Sequence, residues 1–227
     1  MSDKEKWENQ AKEWKNLFYD EKSIPLKWLL NVANKKDKIL DQGCGVGQYA
    51  LSIYKFGFRK ITGLDFSEKL LKIARNHAKK LNYKIDFING DIRQMPFKNK
   101  SFEGAISAGV VEHVPETEKA IKELSRVIKG KGYLIIHVPH KISLFTLVKL
   151  IQQLTGLWKI GFEKSFTKKE FSRILNTFNF EIENYYLSPF VAGKHKILGG
   201  FLSFLDKPLY IFGFGGHHMC FLCKKIK

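Results

Sequence analysis

The sequence predicts an α/β fold with a mostly parallel sheet, and two observations carry this prediction. Apolar strand-like runs alternate with amphipathic helical segments from residue 38 to residue 138, which is typical of a parallel sheet with helices on both faces. The first strand also runs directly into a glycine-rich turn at residues 43–47. Glycine there permits positive φ and close approach of a ligand, so the turn predicts a nucleotide-like site.

The elements of this fold can be assigned in chain order from their periodicity. A helical cap is predicted over the first 33 residues, with a break at Ser23-Ile24-Pro25. The predicted core strands are residues 38–41, 60–65, 84–89, 102–107 and 132–138. The predicted helices between them are residues 48–56, 68–81 and 118–129. We expect right-handed crossovers between neighbouring parallel strands.

The pattern changes after the fifth strand. Residues 139–164 form an apolar excursion, after which Thr167 and Glu170 predict a helix that begins with a capping box. Strands predicted at residues 181–187 and 218–224 are joined by a loop, so we expect an antiparallel pair at the sheet edge. One domain is expected, with a helical cap at 1–35, a cofactor core at 37–140 and an acceptor side at 141–227.

The composition is strongly basic. The 227 residues include 39 Lys and Arg against 22 Asp and Glu, a formal net charge of +17. Such a surface favours nucleic acid, anionic lipid or acidic metabolites. Only five of the basic residues are Arg, the side chain that makes bidentate phosphate contacts, so nucleic acid is the weaker interpretation. Three cysteines without a disulfide framework, and a polar N-terminus unlike a signal peptide, predict a cytoplasmic protein.

The residues after the glycine turn narrow the type of cofactor. Gln48 stands where a dinucleotide fingerprint requires its third glycine, and no G-x-x-x-x-G-K-[ST] phosphate loop occurs. Asp65 ends the second strand, where its carboxylate can accept both ribose hydroxyls, and Phe66 could pack on the adenine. Asp91 ends the third strand, where it can accept from an adenine amino group. These positions favour a nucleoside-containing cofactor.

Three motifs in order resemble one family. ILDQGCGVG looks like the cofactor loop, GLDFS like the ribose-binding strand end, and GDIRQMPFKNKSFEGAISAGVVEHV like the adenine loop and fourth strand. The family is the class I S-adenosylmethionine (SAM) methyltransferases, specifically the methyltransferase type 11 group with ubiquinone and menaquinone biosynthesis enzymes. The resemblance covers residues 37–140. It implies a Rossmann-like seven-stranded sheet with an antiparallel last strand, SAM as cofactor and S-adenosylhomocysteine as product.

The same resemblance implies which residues hold the cofactor. Asp41 and the glycine turn would border the methionine moiety, and Ser107 and Ala108 would close the site below the sulfonium. The full implied set is Asp41, Gly43, Cys44, Gly45, Asp65, Phe66, Asp91, Ile92, Ser107 and Ala108. The residues alone leave alternatives open: Asp41 as a helix-cap acceptor, Phe66 as core, and Asp91 as a turn residue.

His113, just past the fourth strand, is the candidate catalytic residue. Methyl transfer depends mainly on holding the nucleophile in line, and it needs a general base only if the acceptor loses a proton. Histidine could take that proton near neutral pH; the alternative is that His113 only orders its loop or lines the pocket. Tyr19 could close over the cofactor from the cap. His137 and His140 bracket the end of the fifth strand, with His140 nearer the acceptor side.

Cys220 and Cys223, with His217 and His218, resemble a metal cluster by spacing alone. On a strand, however, residues three apart point to opposite faces, whereas zinc ligands must converge. The sequence therefore predicts no metal site here, and a last strand that buries cysteine.

Two apolar excursions bear on the acceptor. The first, residues 142–158, is predicted to be a helix with an apolar and a polar face. The apolar face comprises Leu144, Leu147, Val148, Ile151, Leu154 and Trp158, and the opposite face comprises Lys149, Gln152 and Gln153. The second excursion, residues 190–215, is rich in Phe. Such faces beside lysines suit a small lipid-like or quinone-like acceptor, or peripheral contact with an anionic membrane; ordinary core or a dimer contact is the alternative.

Two other functions remain open from the sequence. An RNA-directed methyltransferase would use the basic surface. Residues 107–110 read Ser-Ala-Gly-Val, which lacks the Asn/Asp-Pro-Pro-aromatic motif by which nucleic-acid amino-methyltransferases resemble one another. A non-catalytic SAM-binding module would keep the fold without acceptor chemistry, and the intact Asp65 and glycine turn argue against such a loss.

Overall fold

A computed structural model describes residues 5, 8, 18, 19, 23–158, 161–188 and 216–227. Its centre is a seven-stranded sheet. The strands are β1 (Lys38–Gln42), β2 (Lys60–Asp65), β3 (Asp86–Asn89), β4 (Phe102–Ala108), β5 (Ile128–Pro139), β6 (Phe180–Ser188) and β7 (His218–Lys225). The order is β3-β2-β1-β4-β5-β7-β6, parallel from β3 to β5, with β7 antiparallel to β5 and β6. This confirms the predicted sheet and its antiparallel last strand.

Helices pack on both faces of the sheet, as predicted. They are α1 (Ile24–Val32), α2 (Gln48–Lys55), α3 (Glu68–Lys80), α4 (Thr117–Val127), α5 (Leu144–Leu154) and α6 (Lys168–Thr177), with a short 3₁₀ turn at Val111–His113. Apolar side chains of α1, α2 and α3 share one core cluster, and those of α4 and α6 share the other. The strand ends are therefore held between two hydrophobic layers.

Local signals set the ends of several helices. α1 begins after Ser23 with Pro25 in its first turn, a position that tolerates proline, so the predicted break is confirmed. The Thr167 hydroxyl accepts from the Glu170 backbone N–H at 3.2 Å, and the Glu170 carboxylate accepts from the Thr167 N–H at 2.8 Å. This is the predicted capping box. Most of the predicted cap, residues 1–22, lies outside the described residues.

Three predicted boundaries were wrong by a few residues. α4 ends at Val127 and not at residue 129, because Ile128 already belongs to β5. Ile128 is fully buried and pairs with Phe102 of β4, so tertiary burial lengthens the strand beyond its predicted start at 132. β3 begins at Asp86 and not at residue 84, since its pairing with β2 starts opposite Thr62.

The first apolar excursion contains α5, and its burial does not follow the division into an apolar and a polar face. Lys149 of α5, assigned to the polar face, is only 5 % exposed. Side chains assigned to the apolar face are largely in solvent: Leu147 is 55 %, Ile151 53 % and Leu154 80 % exposed. Lys149 is buried because its ammonium group meets the carbonyl and a carboxylate oxygen of Glu163 and the hydroxyl of Ser165.

The second excursion, residues 190–215, lies outside the described residues. In the part of the chain that the structure describes, none of the helices combines the length and the apolar composition needed to cross a bilayer.

Candidate active site

A cavity of about 370 Å³ opens at the carboxyl ends of β1, β2 and β4. The chain leaves β1 towards β2 on one side, while β4 lies on its other side. Open α/β sheets bind their ligands at this kind of switch point, and the volume suits a small molecule. Nine of the ten predicted cofactor residues line the cavity; Ser107, fully buried within β4, does not. Contact with the cofactor stays a prediction for all of them.

The glycine turn forms one wall of the cavity. Gly43 has φ of +69°, and a Cβ there would lie 2.4 Å from a Val110 methyl carbon. The Gly43 and Cys44 N–H groups both donate to the Leu64 carbonyl, at 2.7 and 2.9 Å. Only glycine allows this backbone direction and this close approach together. The turn is therefore fastened to β2 and leaves room on its open side.

Two carboxyl groups are buried beside the turn. Asp65, 5 % exposed, accepts from the N–H of Gly45 and of Ser67, both at 2.9 Å. Asp41 accepts from the Ala50 N–H at 3.0 Å. Burial, reinforced by the nearby Asp65 charge and opposed by the Ala50 bond, raises the pKa of Asp41 to about 7. Two acids thus border a space in which a positive ligand group would be favoured.

The adenine side of the predicted site holds a residue that the sequence analysis missed. Phe66 and Ile92 line the cavity, and the Phe66 ring is 45 % exposed there. The Asp91 carboxylate, however, binds Arg93 through both oxygens, with the shortest contact at 2.6 Å. This hydrogen bonding lowers the pKa of Asp91. Arg93 also reaches Glu116 at 2.9 Å, so Asp91 is held in an ion-pair network at the cavity wall.

His113 also lines the cavity. We call the wall formed by the glycine turn and Asp65 the cofactor end, and the wall formed by His113 and its neighbours the acceptor end. Its Nδ1 lies 2.9 Å from the Phe162 carbonyl oxygen, and its Nε2 lies 3.8 Å from Oε1 of Glu112. Glu112, which sequence reasoning missed, is 1 % exposed. Burial raises the pKa of its carboxyl group to about 8. The only sequence signal for Glu112 was its place next to His113.

Tyr19 comes from the N-terminal cap and also lines the cavity. Its ring stacks on Tyr49 at 3.8 Å between centroids, and its N–H donates to the Ser52 hydroxyl at 2.9 Å. Both contacts attach it to α2. The structure thus brings Tyr19 to the site that the sequence assigned to it, and adds Tyr49, which no motif indicated.

Other predicted residues lie outside the cavity lining. The His137 ring stacks on His218 at 4.4 Å between centroids, and burial lowers the pKa of His137 to about 4. His140 is buried, and its N–H donates to the His217 carbonyl at 3.0 Å. Cys220 and Cys223 pack in the two different core clusters. The prediction that these cysteines point to opposite faces is confirmed.

Comparisons with known proteins agree with this geometry. Residues 40–136 match the family Methyltransf_11, described as a methyltransferase domain. These residues are a methyltransferase domain. The predicted family is thereby confirmed, and the match supports SAM as the cofactor of the domain.

Two curated relatives show how far the similarity to this methyltransferase domain extends. The ubiquinone biosynthesis O-methyltransferase of Coxiella burnetii is 32 % identical over 146 residues, which are 63 % of this chain and 62 % of that protein. The sterol 24-C-methyltransferase of Aspergillus fumigatus is 36 % identical over 97 residues, 42 % of this chain and 26 % of that protein. The chain therefore spans less than two thirds of the length of either relative.

The similarity in fold to one solved structure extends beyond the methyltransferase domain. It is a SAM-dependent methyltransferase from Thermotoga maritima, described as a possible histamine N-methyltransferase. The two proteins superpose with a TM-score of 0.68 and 18 % identity, and the alignment covers 100 % of both chains. At that identity the likeness shows the fold, including strands β6 and β7, which lie outside the matched domain.

Proposed function

We propose that this chain is a SAM-dependent methyltransferase. One observation carries the proposal: the Gly45 N–H donates to Asp65 at 2.9 Å, so the glycine turn and the strand-end carboxylate form one unit at the cavity. Asp65 would bind the ribose hydroxyls. Phe66 and Ile92 would flank the adenine, and Asp41 would face the methionine moiety. When bound, SAM supplies a methyl group carried on a positively charged sulfur.

The residues of the cavity fit this cofactor by their own chemistry. The Gly43 position leaves no space for a side chain, so the turn backbone can lie against a ligand. Asp41 and Asp65 are both buried, and buried carboxylates favour hydroxyl donors or a positive group. Ala108, the last residue of β4, lines the cavity, and it is the residue proposed to lie below the sulfonium.

The binding proposal is tested by Asp65→Ala, with Asp86→Ala as a control at an exposed carboxylate on β3. Titration calorimetry with SAM should show affinity weakened by at least about tenfold for Asp65→Ala, since a hydrogen-bonded charge is lost. Asp86→Ala should bind like the unaltered protein. Thermal unfolding of each variant shows whether the fold is retained. Unchanged affinity in a folded Asp65→Ala protein would overturn the site assignment.

We further propose a small lipid-like or quinone-like acceptor. The named relatives are a sterol methyltransferase and a ubiquinone biosynthesis methyltransferase, and α5 exposes Leu147, Ile151 and Leu154. The test is transfer of labelled methyl from SAM into a whole-cell extract that is then separated by solubility. Label in the lipid fraction supports the proposal. Label in RNA would overturn it in favour of the basic surface, and a protein that binds SAM but labels nothing would favour a non-catalytic module.

The same helix supports a peripheral membrane contact as a second proposal. Its exposed leucine face belongs to a chain with a formal net charge of +17, which suits an anionic lipid surface. The full chain should sediment with phosphatidylglycerol vesicles at low salt but not with phosphatidylcholine vesicles. Leu150→Glu with Leu154→Glu should abolish this, whereas Val32→Glu with Ile226→Glu, at exposed apolar positions elsewhere, should not. A full chain left in the supernatant overturns the proposal.

A further inference from the structure

A buried ion pair joins α5 to the segment that follows it. The Lys149 ammonium lies 2.9 Å from Oε1 of Glu163, 2.6 Å from the Glu163 carbonyl oxygen and 3.3 Å from the Ser165 hydroxyl. The Lys149 and Glu163 side chains are only 7 % and 8 % exposed. All three hydrogens of the ammonium therefore have acceptors, as a buried charge requires.

The segment held in this way touches the candidate catalytic turn at two points. The Phe162 carbonyl lies 2.9 Å from Nδ1 of His113, and the Lys164 N–H donates to the Glu112 carbonyl at 2.9 Å. Glu163, the partner of Lys149, stands between these two contacts. The position of the 3₁₀ turn Val111–His113 therefore depends on a lysine that lies more than 30 residues further along the chain.

These contacts decide which nitrogen of His113 can accept a proton. A carbonyl oxygen only accepts hydrogen bonds, so Nδ1 must carry the hydrogen, and Nε2 of the neutral ring keeps its lone pair. Nε2 lies 3.8 Å from Oε1 of Glu112. Within the described residues, Oε2 of Glu112 is buried without a hydrogen-bond partner.

We propose that Lys149 and Glu163 are positioning residues that fix His113 with Nε2 as the proton acceptor. The proposal rests on the methyltransferase function proposed above. With a hydroxyl acceptor, the oxygen–carbon bond forms as the carbon–sulfur bond breaks. The electron pair of that bond stays on sulfur, and the hydroxyl proton passes to Nε2 of His113. The Nδ1–H bond to Phe162 persists throughout.

The tautomer can be tested without an acceptor. A long-range proton–nitrogen correlation spectrum of the full chain with isotope-labelled histidine reports which ring nitrogen carries hydrogen, and His113→Gln identifies the signals. We expect His113 with hydrogen on Nδ1. Lys149→Met should give a mixture of both tautomers because the Phe162 carbonyl is released. Lys141→Met, which removes an exposed lysine paired with Glu170, is the matched control and should change nothing.

If Lys149→Met does not fold, two further variants test the proposal. Glu163→Gln retains the backbone contacts but weakens the ion pair, and should also loosen the tautomer preference, while Lys149→Arg should keep it. Hydrogen on Nε2 in the unaltered protein, or an unchanged tautomer in folded Lys149→Met or Glu163→Gln, would overturn the positioning role. SAM calorimetry on the same samples tests the proposed function separately, since neither Lys149 nor Glu163 lines the cavity.

Discussion

Carboxyl groups are buried at both ends of the cavity, but different partners stabilise them at each end. At the cofactor end, Asp65 and Asp41 accept hydrogen bonds from backbone N–H groups of the glycine turn and of α2. At the acceptor end, Glu163 is neutralised by the side chain of Lys149, and Glu112 keeps a buried oxygen without a partner among the described residues. Backbone donors are supplied by the local fold, whereas an ion pair depends on two side chains from separate segments. We therefore expect the backbone hydrogen bonds at the cofactor end to tolerate single substitutions better than the ion pair at the acceptor end.

The largest expected effect follows from that vulnerability. Lys149→Met should lower the free energy of unfolding by about 3–5 kcal/mol, because it leaves the Glu163 charge buried and unpaired. Lys141→Met removes a pair in which both side chains are about half exposed, and should cost less than about 1 kcal/mol. Urea denaturation of the two variants measures the difference. Equal costs would mean that the Lys149–Glu163 pair does not form in solution, and the contrast between the two ends of the cavity would fail.

The same difference explains what the sequence could reveal. Asp41, Gly43, Gly45 and Asp65 act through backbone geometry at short, fixed spacings, so their motif predicted both the fold and the place of the cavity. Lys149 was placed on the polar face of its helix but not in an ion pair, because helical periodicity carries no information about a carboxylate 14 residues further on. Pairing between charged side chains of separate segments depends on how those segments pack. Residue spacing alone does not show which of these side chains come within reach of one another.

Smaller deviations have the same origin. Arg93 pairs with Asp91 because the turn after β3 brings the Arg93 guanidinium group to both carboxylate oxygens of Asp91. Side chains along β4 point alternately to the two faces of the sheet, and the Ser107 side chain is fully buried. Ser107 therefore does not line the cavity. The predicted carboxyl ends of β3 and β4 were right to within one residue, and the directions of the side chains there were decided by packing.

A matched pair of glycines tests the rigidity of the cofactor end. Gly43 and Gly156 have nearly equal φ, +69° and +70°, but a Cβ at Gly156 would meet nothing within 4 Å. Gly156→Ala should therefore cost only the backbone strain, about 1 kcal/mol. Gly43→Ala adds the clash with Val110, a further ~1–3 kcal/mol. Urea denaturation measures both, and equal costs would show that the turn can move away from Val110.

The smallest effect concerns the charge of Asp41, whose pKa burial raises to about 7. Below that pH the carboxyl group is mostly neutral, and above it the carboxylate can pair with the positive methionine end of SAM. Binding of a cation favours the ionised form, so SAM affinity should rise with pH and level off above about pH 8. At about pH 6 it should be roughly tenfold below that plateau, since one pKa unit corresponds to a factor of ten.

Calorimetry in two buffers of different ionisation enthalpy should also detect a proton released on binding below the pKa of Asp41. Asp41→Asn can still accept from the Ala50 N–H, but it has no charge to gain, so its affinity should be weak and independent of pH. If the pH dependence persisted in Asp41→Asn, the proton would belong to another group, and the positive end of SAM would lie elsewhere in the cavity.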